Sequence, residues 1–159
     1  MSKSELQNEL QGYLDKVVSV VDEHGLAIQT VLHSHTYSIG LAHKGMPDII
    51  VMGIEKGISE HMINATYKRW LEVGVSLDNI NDIIGDGVNP MPVGFRSISL
   101  NDEVESFFNV GNCYYQIKPV QNGLNSYVQL LWPDTNGLLP TDDGYDNKNL
   151  PQQLLMGVN

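Results

Sequence analysis

The sequence predicts a single α+β domain spanning residues 1–159, with a mixed or mainly antiparallel central sheet packed by about three helices. Apolar residues recur at helical spacing in two segments, 6–21 and 62–71. The runs "DIIVMGI" and "YVQLLW" are short, apolar and of strand length. At 159 residues the chain is long enough for one real core and too short for two.

The elements follow in order. Leu6, Leu10, Tyr13, Leu14, Val17, Val18 and Val21 mark the first helix, with Ser4 as its cap and Gly25 just past its end. Residues 26–32 ("LAIQTVL") read as a strand, and residues 37–42 as a second. "HKGMP" turns the chain into residues 48–54, which are apolar on both faces and so predict a central, doubly covered strand. Ser59 opens the next helix, Met62, Ile63, Tyr67, Trp70 and Leu71 line it, and Gly74 stops it.

Residues 75–92, rich in Gly, Asn, Asp and Pro, read mostly as loop with short extended pieces. Residues 95–100 read as a strand. Val104, Phe107, Phe108, Gly111 and Tyr115 predict a third helix, and residues 127–132 a last strand. "PDTNG" then supplies turn chemistry. Residues 138–159, broken by Pro140 and Pro151, read as a coil-rich tail along the surface.

A net charge of −10 with only nine Lys and Arg argues against nucleic acid, since binding phosphates needs a basic surface. No DNA or RNA partner is therefore expected. An acidic DNA mimic fits no better, because charged residues make up 18% of the chain and are scattered. No apolar run reaches the length of a membrane span, so no membrane partner is expected. "MSKSELQNEL" lacks the apolar core of a signal peptide, and the expected location is cytoplasmic. The single Cys113 forbids an internal disulfide and a cysteine-based zinc site, and it reads as a small buried residue. Oligomeric state is open, a homodimer included.

Four stretches, "HGLAIQTVL", "YSIGLAHKGMPDIIVMGI", "VQLLWPDTNGLLP" and "QQLL", resemble in order an uncharacterised bacterial family, domain of unknown function 4262. The resemblance runs over residues 22–155. Tyr37, Gly40, Leu41, Pro47, Gln129, Trp132, Asp134, Gly137 and Pro140 match the family pattern directly. Asp48 stands for its glutamate and Ser38 for its threonine. Met46 replaces a family histidine and Thr141 a family tryptophan; a histidine essential to a shared reaction should not become methionine, so either this member differs or that position is structural. The resemblance implies one compact domain with a polar cluster, and no reaction.

The most reactive-looking stretch is "HSHTYSIG" (33–40). On a strand, His33 and His35 share a side, and a metal would need a third ligand from His24, His43 or Asp48. A solvated hairpin end explains the pair more simply, and no metal or cofactor is expected. Phosphodiester chemistry by paired His-x-Ser/Thr motifs lacks its second motif, because His61 is followed by Met-Ile-Asn. Ser38 lacks the glycine-flanked elbow of serine hydrolases. "GDGVNPMPVG" fits no phosphate loop, and Asp142, Asp143 and Asp146 lack calcium-loop spacing.

What remains is Tyr37, Ser38 and His35 with Gln129, Trp132 and Asp134. If the two strands carrying them are neighbours, their aromatic and polar groups converge at one end of the sheet as a ligand pocket. The expectation is a small-molecule-binding domain for a nucleotide- or sugar-like ligand. One alternative is a hydrolase using His33 or His35 as general base, with Asp134 or Asp48 beside it. The other is an acidic module that binds or inhibits another protein.

Overall fold

A computed structural model describes residues 2–85, 90–121, 125–148, 153, 155 and 156. Pro151, the centre of the 85–94 glycine-rich stretch and part of "QQLL" lie outside them. Six strands form one mixed sheet in the order β1-β2-β3-β6-β5-β4. They are β1 (Ala27–Val31), β2 (His35–Ile39), β3 (Asp48–Met52), β4 (Ile80–Gly85), β5 (Pro90–Ile98) and β6 (Tyr127–Leu131). The β3–β6 pair is parallel and the others are antiparallel. β2, β3 and β6 are buried at every position, as expected for strands covered on both faces.

Helix α1 (Lys3–His24) starts at Ser2 rather than Ser4, because Ser2 and Glu5 form a reciprocal capping box. Its Leu14, Val17 and Val21 are buried, while Leu6, Leu10 and Tyr13 stay exposed. Helix α2 (Lys56–Val73) starts a turn earlier than Ser59 predicts, since the Glu55 side chain accepts from the Gly57 N–H (2.9 Å).

The expected third helix is broken into a short turn α3 (Asp102–Glu105), a 3-10 turn (Ser106–Phe108) and α4 (Asn109–Ile117). Residues 75–92 are not mostly loop, since they carry β4 and the start of β5. α2 covers one sheet face, where Met62, Ile63 and Trp70 pack on Ile49, Val51 and Leu130. On the other face Val17, Val21, Phe108 and Tyr114 cover Tyr37, Ile39, Ile50 and Tyr127. The described residues of 138–159 form neither helix nor strand, yet Leu139 and Met156 are buried.

Candidate functional site

β2 and β6 are not neighbours; β3 lies between them. Tyr37 and Gln129 share one row across the sheet, each opposite Ile50. Successive residues of a strand point to opposite faces, so Ser38 leaves that row. All five side chains nominated with His35 are buried and bonded inside the protein. The Tyr37 hydroxyl accepts from the Gly111 N–H (3.1 Å), and the Gln129 carbonyl oxygen accepts from the Met156 N–H (2.9 Å). Trp132 donates its indole N–H to the Met52 carbonyl (2.8 Å), while Gln153 brackets its main chain.

Asp134 organises the loop after β6. It accepts from the N–H groups of Asn136, Leu138 and Asp146, each at 2.9 Å. Burial pushes its carboxyl up, but the N–H donors of Asp146, Leu138, Asn136 and Gly137 outweigh that and hold it below the usual carboxylate range.

A second polar cluster sits where β2 ends and β3 begins. Asp48 is fully buried and receives the Ser38 hydroxyl (2.8 Å), the Leu41 N–H (3.1 Å) and the Tyr115 hydroxyl of α4. Ser38 in turn accepts from the Ile49 N–H (2.9 Å). Burial raises the Asp48 carboxyl to about 7, against hydrogen bonds from Tyr115, Ser38, Leu41 and Gly40 that pull it down. Asp48 and Ser38 are closed to solvent and Tyr115 is partly exposed, so the chemistry of the cluster is that of a fastener.

One open feature is a cleft of about 390 Å³ at the β1–β2 turn, facing the link from β3 to α2. Thr30, His33, Ser34, His35, Thr36 and Lys56 are among its lining residues. His33 does not lie on a strand. It sits in the turn with φ +63°, a left-handed conformation uncommon for a side-chain-bearing residue. The same-side argument for a shared metal therefore does not apply to His33 and His35. Among the described residues, no three His, Cys, Asp or Glu side chains gather as a metal ion requires.

His35 opens β2 and is 7% exposed. Its ring lies against Phe107 and Tyr37, with centroids 5.0 and 5.8 Å away. Nε2 lies 2.7 Å from the Phe107 carbonyl oxygen, and Nδ1 lies 2.6 Å from the Ser34 hydroxyl. A carbonyl only accepts, so Nε2 carries the hydrogen. In the neutral ring Nδ1 is then the acceptor of the Ser34 proton. Burial pulls the imidazole below its ordinary value, opposed by the Phe107 bond, and so favours this neutral form.

The broken third helix makes this possible. The Phe107 carbonyl faces His35 while the Gly111 N–H faces Tyr37. A continuous α-helix would join those two groups to each other. Sequence reasoning passed over Ser34 and Phe107: a serine between two histidines carries no motif, and a backbone carbonyl leaves no trace in composition. Cys113, expected to be buried, is partly exposed.

A family model described as Domain of unknown function (DUF4262) matches residues 20–146. The chain belongs to that family. The matched residues include the cleft, the Asp48 cluster and the Asp134 loop of this DUF4262 domain. No curated protein and no solved structure matches it. Among the described residues, no helix is long and apolar enough to cross a membrane.

Proposed function

We propose that this DUF4262 domain binds a small polar ligand, nucleotide- or sugar-like, in the cleft at the β1–β2 turn. The observation that carries the reading is the lining of that cleft. It combines two imidazoles, the hydroxyls of Ser34, Thr30 and Thr36, and one carboxylate and one ammonium, Glu55 and Lys56. Such a concave surface with a few fixed polar groups is what orients a small ligand. Its walls are braced: Thr30 and Thr36 face each other across the hairpin (3.2 Å between hydroxyls), and the Gly53 N–H donates to the Ser34 carbonyl (3.1 Å).

The left-handed backbone at His33 supports the same reading. Such conformations cost about 1–3 kcal/mol and cluster at binding and catalytic positions. Tyr37, Ser38, Gln129, Trp132 and Asp134 then serve as scaffold, His33 is the nominated residue that meets ligand, and His35 backs the cleft wall behind Ser34.

Thermal-shift and calorimetric screening against nucleotides, sugars and sugar phosphates tests the reading. A ligand class should raise Tm in the wild type, and His33→Ala or Lys56→Ala should weaken it at least tenfold. If no class moves Tm, or if both variants bind as the wild type does, the cleft is not a binding site. A hydrolytic second reading is favoured by one contact, the 2.6 Å approach of Ser34 to His35.

A further inference from the structure

We infer that Ser34 is a nucleophile, that His35 is its general base, and that the domain cleaves carboxylic esters of small polar compounds in this cleft. The inference rests on the cleft being a ligand site and adds the chemistry done there. A hydroxyl at hydrogen-bond distance from an imidazole, whose other nitrogen is held by a fixed acceptor, is the minimal unit of acyl transfer through a covalent intermediate. Here the three parts are the Ser34 Oγ, His35 Nδ1 at 2.6 Å, and the Phe107 carbonyl 2.7 Å from Nε2.

The parts differ in access as the chemistry needs. Ser34 lines the open cleft and is partly exposed, while the His35 ring is buried behind it between Phe107 and Tyr37. The Phe107 carbonyl touches no substrate; it fixes the tautomer and aims the Nδ1 lone pair at Ser34. Just before the serine stands His33, whose left-handed backbone turns the chain sharply at the cleft wall. Lys56, also on the wall, pairs with Glu60 (3.7 Å) and would have to turn from it to meet an oxyanion formed there.

In the first step the Ser34 Oγ–H proton passes to His35 Nδ1 as Oγ bonds to the ester carbonyl carbon. The carbon–oxygen bond to the alcohol then breaks, and the alcohol leaves with the proton from Nδ1. Water repeats the sequence: its proton goes to Nδ1, its oxygen takes the acyl carbon, the carboxylic acid departs and Ser34 recovers its proton. Nothing is oxidised or reduced. While His35 is protonated, its Nε2–H still points at the Phe107 carbonyl, which stabilises the imidazolium.

The experiment is intact-mass and peptide mapping of the full chain after exposure to a fluorophosphonate probe, alongside turnover of p-nitrophenyl acetate. The expected result is one adduct on Ser34, none in Ser34→Ala, and labelling slowed about 100-fold or more in His35→Gln. Labelling by the wild type should rise with pH and level off once His35 is neutral. This profile does not depend on the buried variant folding. A wild type without an adduct, an adduct elsewhere, or a flat pH profile overturns the assignment. Calorimetry on Ser34→Ala separates this result from the binding reading. Retained ligand binding alongside an unlabelled wild-type serine leaves the cleft standing and removes the nucleophile.

Discussion

The Tyr115 hydroxyl donates to the Asp48 carboxylate and, at the same oxygen, accepts the N–H groups of Gly40 (2.9 Å) and Ala42 (3.4 Å). One phenol on α4 thereby fastens the start of β3 to the turn that follows β2. Tyr115→Phe removes that fastener and leaves several polar groups without their partner. We expect a loss of about 1–3 kcal/mol. Urea denaturation followed by circular dichroism measures it, and an unchanged midpoint would show that the contact contributes nothing.

Asp48 makes stability depend on pH in an unusual direction for a carboxylate. Its folded value of about 7 lies above the roughly 3.9 of an unfolded aspartate, so the folded state holds the proton more tightly. The stabilisation from this group is complete below about pH 4 and is lost as pH rises to about 7. Asp134, held low, acts in the opposite direction at acid pH. The test is therefore the difference between proteins: Tm of the wild type minus that of Asp48→Asn should fall between pH 4 and pH 7 and then level off. A difference that stays constant across the window contradicts the prediction.

Gly40 has φ +106°, and a Cβ placed there would lie 2.6 Å from Val21 Cγ1 on α1. Gly40→Ala therefore combines backbone strain with a clash against a packed helix. The backbone alone should cost about 1–3 kcal/mol. Thermal melts of this variant beside Gly12→Ala, whose Cβ meets nothing within 4 Å, isolate the effect. Equal melting temperatures would refute it.

Trp132 joins β6 to β3 through its indole N–H, and its ring is 2% exposed. Trp132→Phe keeps an aromatic ring but loses the donor and some volume, which should cost roughly 2–4 kcal/mol. As scaffold, Trp132 should matter for stability and not for occupancy of the cleft. Ligand affinity measured on the folded fraction should stay within about twofold of wild type, and a larger drop would place Trp132 at the ligand.

The central strand 48–54 was legible because "DIIVMGI" is apolar on both faces, as a doubly covered strand needs, and "YVQLLW" was legible as a strand though not as a covered one. β4 was hidden for the opposite reason. It is an edge strand whose outward positions tolerate Asn and Asp, and Asp82 meets Arg69 of α2 there at 2.5 Å. Its composition therefore imitates a loop. Ser38, Gln129 and Trp132 were visible as polar or aromatic groups in strands, but sequence spacing does not report which strands adjoin. Intervening β3 separates them. The Ser34–His35 contact was illegible because its third part, the Phe107 carbonyl, lies 72 residues away and belongs to the main chain.

The parallel pairing of β3 with β6 has a consequence for biogenesis. β1, β2 and β3 join as neighbours in sequence, and so do β4 and β5, but only β6 unites the two groups. Until residues 127–131 leave the ribosome, the edge of β3 that β6 pairs has N–H and C=O groups without a strand partner, and so has that of β5. An open strand edge is a template for a neighbouring nascent chain. The domain is thus most exposed to mispairing late in its synthesis. Chaperone dependence should fall sharply once β6 emerges.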